Sequence, residues 1–206
     1  MELDTDQAEW DTRYGPGDGT MWSGEPNGAL VTEIRALDRG SVLDIGCGEG
    51  ADTIWLAQQG FTATGLDVSA VAIQRAQAAA SRSGVDVQFA AVDVIADPPA
   101  FDAYDLVVVS YPALKTTSKA STASSIVQAV APGGRFFLVM HAHNQETAVV
   151  VRSMGFDPDG YVGIDDFKAA LADGFDIEVD DERARLGVAP DALHQRDRVL
   201  VAKRRH

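Results

Sequence analysis

The sequence predicts an α/β domain, doubly wound, with a mostly parallel sheet of seven strands and an antiparallel pair at one edge. Three observations lead there. Short apolar runs alternate with helical patterns along most of the chain. The first five runs carry few internal charges, as parallel strands buried on both faces do. The last two runs are separated by residues 184–191, which hold Gly187 and Pro190 and no clear helix, so a hairpin-like pair is expected there.

The predicted strands cover residues 41–45, 62–66, 85–91, 106–109, 134–140, 175–179 and 198–202. Helices are predicted over 51–59, 70–83, 120–131 and 146–154. Gly60 and Gly84 follow the first two helices, where a left-handed cap favours glycine, and Ser69 stands before the second as an N-cap. Upstream, Pro26 suits the first turn of a helix that turns Leu30, Val31 and Ile34 inward. A chain of 206 residues is enough for one such domain. The expected organisation is a single domain over 1–206, with residues 1–40 covering the site and 41–206 forming the core.

Charge narrows the choice of partner. The net charge is −14, and a surface that negative repels phosphate backbones, so nucleic acid is not the expected partner. Lys203-Arg204-Arg205 is read as the solvated end of the last strand. No apolar stretch approaches the roughly 20 residues needed to span a bilayer. Residues 1–10 lack the order of a signal peptide, and the single Cys47 forms no internal disulfide. A cytoplasmic protein that does not bind membranes is expected.

Ligands of doubly wound sheets bind beyond the carboxyl ends of the strands. There the sequence reads Val42-Leu43-Asp44-Ile45-Gly46-Cys47-Gly48-Glu49-Gly50, a glycine loop running from strand to helix. Gly46, Gly48 and Ala51 also satisfy the looser dinucleotide pattern, so the glycines alone leave a nicotinamide cofactor open. Acidic residues weigh against a diphosphate: Glu49 and Asp52 crowd the helix start and Asp44 adds a carboxylate at the strand end. A sulfonium and an ammonium suit that rim better. Asp67 ends the second strand, where a carboxylate can accept ribose hydroxyls, and Val68 would offer adenine an apolar face. Asp93 ends the third strand and could accept from the adenine amino group.

On these residues the chain resembles the class I S-adenosylmethionine-dependent methyltransferases over nearly its whole length. Residues 42–50 resemble the family's first motif and Gly65-Leu66-Asp67-Val68-Ser69 its second. Tyr104-Asp105-Leu106-Val107-Val108-Val109 resembles the fourth-strand motif, and Ala131-Pro132-Gly133-Gly134-Arg135-Phe136 the turn into the fifth strand. The resemblance implies a Rossmann-like methyltransferase sheet, S-adenosylmethionine as cofactor and S-adenosylhomocysteine as product. It implies that Gly46, Cys47 and Gly48 line the methionine portion while Asp44 reaches its ammonium. Asp67 would hold the ribose, Asp93 with the Val94 backbone the adenine, and Ser110 would face the acceptor.

The N-terminal stretch is similar to that of the compact thiopurine- and tellurite-type methyltransferases, in which it folds over the cofactor; Trp10, Tyr14 and Trp22 would then shield a cation from water. The expected reaction is methyl transfer to a small-molecule acceptor by a monomer or homodimer. Tyr111 and His141 are the candidate catalytic residues, with His143 and His194 near the same rim. No metal site is expected, and Cys47 reads as a small packing residue rather than a nucleophile. The alternatives are an NAD(P)-dependent oxidoreductase and a non-catalytic module that binds the methyl donor.

Overall fold

The computed structural model describes residues 5–15, 19–35, 37–142, 145–153, 157–189 and 192–206. Its seven strands are β1 (Ser41–Ile45), β2 (Thr62–Asp67), β3 (Gln88–Ala91), β4 (Tyr104–Ser110), β5 (Val130–His141), β6 (Phe175–Ala184) and β7 (Arg196–Arg204). They form one sheet in the order β3-β2-β1-β4-β5-β7-β6. The first five run parallel, and β7 runs antiparallel to both β5 and β6. Strand order therefore reverses between β1 and β4. The connections that follow these two strands leave in opposite directions, and a crevice opens between them.

Alternation along the strands divides the core in two. Leu43, Val107, Val109, Phe136 and Leu138 face one side and pack under α5 (Lys119–Val127) and α7 (Ile164–Leu171). Val42, Leu106, Val108, Phe137 and Val139 face the other, against α2 (Gly28–Ile34) and Leu56 of α3 (Ala51–Gln58). Both sets are fully buried, which explains the near-continuous apolar runs of β4 and β5. α4 (Ala70–Ser83) contacts β2, β3 and α3; Ser69 accepts from Ala72 N at its start and Gly84 closes it in the left-handed region. α6 (Gln145–Ser153) and a 3-10 turn at Pro158–Gly160 complete the chain.

Some elements differ from the sequence reading. Pro26 lies before the cap of α2 rather than in its first turn: Asn27 is the N-cap, and its side chain accepts from Ala29 and Leu30 N. α1 (Thr5–Tyr14) was not expected, because its polar sequence has little apolar periodicity and tertiary contacts hold it. α7 is short and carries only Phe167 and Leu171 as buried residues. β6 and β7 are longer than predicted because each supplies the other's hydrogen bonds through charged stretches. No helix among the described residues is long and apolar enough to cross a membrane.

Gly65 on β2 sits directly under the glycine loop. A Cβ there would lie 2.7 Å from the Phe89 ring and 3.0 Å from Cys47 Sγ. Gly65→Ala should therefore destabilise the fold by about 1–3 kcal/mol, the usual cost of overpacking. Urea unfolding should show a lower midpoint with an unchanged slope, and an unchanged midpoint would contradict this packing.

Candidate active site

The glycine loop leaves β1 with Gly46 and Gly48 in the left-handed region, which a side chain would strain. Its amides are spent inside the protein. Gly46 N and Cys47 N donate to Leu66 O at 2.8 and 3.0 Å, and Gly50 N donates to Cys47 O at 2.9 Å. Gly48 N donates to Asp67 Oδ2 at 2.8 Å. A dinucleotide-binding loop needs its amides for the pyrophosphate. These four are already committed.

Three carboxyl groups surround the loop. Asp44 is buried, accepts from Thr53 Oγ1 at 2.6 Å, and has its pKa pushed up to about 8 by burial and then by the charge of Asp52. Asp52 accepts from Asn27 N at 2.6 Å, and burial raises its pKa too. Asp67 accepts from Gly48 N and, through its other oxygen, from Ser69 N at 2.9 Å; burial still raises its pKa against those bonds. None of the three is ion-paired among the described residues. Burying carboxyls with no cation is unfavourable, and a cationic ligand would relieve it.

Glu49 behaves otherwise, which amends the sequence argument. It is ion-paired with Arg75 at 2.9 Å and accepts from Met21 N and Trp22 N, so its charge is already matched and it fastens the N-terminal segment. Asp11 of α1 accepts from Ser69 Oγ at 2.6 Å and Val71 N at 3.2 Å, and Arg75 donates to Tyr14 O and Gly15 O. Acidic side chains thus pin the segment at both ends of the loop. Between these fastenings the buried Tyr14 accepts from Trp22 Nε1 at 3.2 Å, and its hydroxyl stands 3.0 Å from where a Cβ on Gly48 would lie. Trp10 packs against Tyr14 with ring centres 6.1 Å apart.

A cleft of about 1290 Å³ opens beside these groups. Trp10, Tyr14, Trp22, Asp44, Gly46, Cys47, Gly48, Asp67, Val68, Asp93, Val94, Ser110, Tyr111 and His141 all line it, so the fold brings these fourteen expected residues to one cleft. One oxygen of Asp93 accepts from Ile95 N at 2.9 Å, so this residue also shapes its own turn. Burial, with Asp44 and Asp67 beside it, holds the Cys47 thiol well above its usual pKa, which fits packing rather than nucleophilic attack. Asp105 of the fourth-strand motif instead braces the start of β1, accepting from Ser41 N at 2.7 Å.

At the far end of the cleft the tips of β4, β5 and β7 meet. Asp197 stands directly across from His141 in the antiparallel pair, with Oδ1 3.5 Å from His141 Nδ1. Tyr111 donates to Asp197 Oδ2 at 2.8 Å, and its own backbone sits at φ 49°, a strained value for a residue with a side chain. Burial, then the bond to Asp197, raises the Tyr111 pKa and favours its protonated, hydrogen-bond-donating form. The His141 ring stacks on Tyr111 at 4.2 Å and on His194 at 4.1 Å. His143 lies outside the described residues. Asp197, Asn27 and Arg185 escaped the sequence reading. Asp197 is 86 positions from Tyr111, and no local spacing marks that contact.

Residues 42–134 match the family described as a methyltransferase domain. The chain is similar to the class I S-adenosylmethionine-dependent methyltransferases over this stretch and shares their fold. S-adenosylmethionine is the cofactor of this family. The chain is 34% identical over 128 residues to the 2-heptyl-1-hydroxyquinolin-4(1H)-one methyltransferase of Mycobacteroides abscessus, covering 58% of this chain and 55% of that one. It thus spans about half the length of this curated relative. Among solved structures, one describing conversion of a disulfide bond into a thioacetal group during echinomycin biosynthesis has a TM-score of 0.75 at 25% identity. That comparison covers 97% of this chain and 92% of the other. Magnesium protoporphyrin IX methyltransferase from Synechocystis PCC 6803, with bound S-adenosylhomocysteine, shares the fold at a TM-score of 0.65 and 22% identity. It covers 98% of this chain and 95% of that one.

The raised Asp44 pKa has a measurable consequence. An unfolded aspartate titrates near pH 3.9. The stability from keeping Asp44 protonated is therefore full below about pH 4 and is lost as pH rises through about 8. Thermal melts of the protein without cofactor should show a midpoint that falls from about pH 6 to about pH 9, and Asp44→Asn should flatten that fall. An equally steep fall in the variant would refute the assignment.

Proposed function

We propose that this chain transfers a methyl group from S-adenosylmethionine to a hydroxyl group of a small molecule. One observation carries the reading. Among the described residues Asp44, Asp52 and Asp67 gather without an ion pair around a glycine loop in which the Gly46, Cys47, Gly48 and Gly50 amides are internally bonded. Such a socket suits a ligand bearing a sulfonium and an ammonium and disfavours a diphosphate. When bound, the cofactor supplies an activated methyl group on that sulfonium.

The remaining work falls to the protein. Asp44 and the Gly46–Gly48 backbone would hold the methionine portion. The free lone pairs of Asp67 would take the ribose hydroxyls, and Asp93, Val94 and Val68 would hold adenine. Tyr14, Trp22 and Trp10 form a cover that excludes water, which keeps electrostatic interactions strong within the cleft. Ser110 lies where the cofactor end meets the acceptor end. Methyl transfer needs the acceptor aligned about 3 Å from the methyl, and a base only if the acceptor must lose a proton.

His141 is suited to take that proton on Nε2, because Nδ1 faces the buried Asp197 carboxyl. Tyr111 is then a positioning residue: its hydroxyl occupies the other Asp197 oxygen and its ring stacks on His141. This support for an ionisable hydroxyl acceptor agrees with the hydroxyquinolinone named for the Mycobacteroides relative. The chain's acidity disfavours nucleic acid as the acceptor.

Two tests bear on this reading. S-adenosylmethionine and S-adenosylhomocysteine should raise the melting temperature while NAD does not, and Asp67→Asn should weaken their binding by about tenfold through lost buried hydrogen bonds. Stabilisation by NAD alone would sink the proposal. Assayed as S-adenosylhomocysteine formed over a panel of phenols, thiols and amines, turnover should favour hydroxyl acceptors. His141→Gln should lower kcat by about a hundredfold or more near neutral pH and move the pH profile, without changing cofactor affinity. A profile identical to wild type would remove His141 from the proton's path.

A further inference from the structure

The β6–β7 arm carries six arginines, and five are matched by carboxylates. Arg183 pairs with Glu33 at 2.6 Å, Arg196 with Glu182 at 2.5 Å, Arg198 with Asp180 at 3.5 Å and Arg205 with Asp176 at 3.0 Å. Arg204 pairs with Asp102. Arg185, the first residue after β6, differs. Among the described residues its side chain has no ion pair and no hydrogen bond, and its guanidinium lies 5.1 Å from the centre of the Tyr111 ring. In a chain with 31 acidic and 17 basic residues, a half-buried arginine without a carboxylate stands out against the composition.

Its position is specific. Arg185 lines the cleft beside Tyr111, His141 and His194, and Leu186 next to it packs against Gly28 at the start of α2. The nearby carboxyl, Asp197, is engaged by the Tyr111 hydroxyl and faces His141. The cleft is therefore polarised. Unmatched carboxyls stand at the glycine-loop end and an unmatched guanidinium at the strand-tip end. A planar guanidinium stacked on an aromatic ring keeps its N–H edge for a bidentate anion, a geometry carboxylates fit.

We infer that Arg185 anchors a carboxylate on the methyl acceptor, at the end of the cleft away from the glycine loop. The inference rests on the methyl-transfer reading only in naming the ligand an acceptor; the anchor itself is a property of Arg185 and the Tyr111 face. The methionine carboxylate of the cofactor offers the same chemistry, so the test must separate the two sources.

Calorimetric titration with dihydroxybenzoate and with catechol, which differ by one carboxylate, provides that test. It is run on the wild type, Arg185→Gln and Arg185→Lys, each with and without S-adenosylhomocysteine. The wild type should bind dihydroxybenzoate at least about tenfold tighter than catechol, and added salt should narrow the gap. Arg185→Gln should erase the preference, Arg185→Lys should retain part of it, and S-adenosylhomocysteine affinity should stay within about twofold in all three. Lack of a carboxylate preference in the wild type, or its survival in Arg185→Gln, overturns the inference. So does a loss of S-adenosylhomocysteine affinity in Arg185→Gln with the preference intact, which would give the guanidinium to the cofactor. If the preference behaves as expected but S-adenosylhomocysteine binds none of the proteins, the anchor stands and the methyl-transfer reading fails.

Discussion

Asp67 is the joint on which the site depends. One of its oxygens receives Gly48 N from the glycine loop, and the other receives Ser69 N at the start of α4. A single carboxyl at the tip of β2 thereby fixes the loop, its own strand and the following helix in one register. Ser69 in turn caps α4 and donates to Asp11, which carries the N-terminal helix into the same network. The carboxyl is buried, so these bonds work in a weakly screened setting and are costly to leave unmade.

Acidic residues elsewhere in the site divide into two kinds. Glu49 is matched by Arg75 and serves as a fastening for the cover. Asp44 and Asp52 have hydrogen bonds but no ion pair among the described residues, and burial drives both toward the neutral form. That contrast gives the cleft an electrostatic direction beyond its composition. A positive ligand would favour the ionised form that burial disfavours in both. The opposite end, built from the tips of β4, β5 and β7, holds the Asp197 carboxyl bonded to Tyr111 and the Arg185 guanidinium over the Tyr111 ring.

The sheet explains why these ends lie close together. β1 and β4 are neighbours whose connections leave in opposite directions, so the glycine loop and the Tyr111 corner flank one crevice. Asn27 spans it. Its backbone N–H reaches Asp52, its side chain caps α2, and its amide lies beside the Tyr111 hydroxyl. The strained backbone at Tyr111 is held by its N–H bond to Val139 O and by the hydroxyl bond to Asp197. Strain of this kind persists only where surrounding contacts over-determine it.

Much of this was legible from local pattern. Short apolar runs with few internal charges located the strands. Gly84 and Ser69 marked the limits of α4, and the spacing from Gly46 through Asp67 to Asp93 placed the three loop-end positions that line the cleft. α1 was invisible because its contacts come from Ser69, Val71 and Arg75, about 60 residues away. The sequence by itself determined the sheet, the glycine loop and the acidic character of the rim, because these follow from periodicity, backbone freedom and charge within short windows. Only the tertiary structure decided which carboxyls are matched, and that Asp197 and Arg185 join Tyr111, His141 and His194 at one corner. Those facts depend on strand order and antiparallel register, which set distances between residues that no local spacing records.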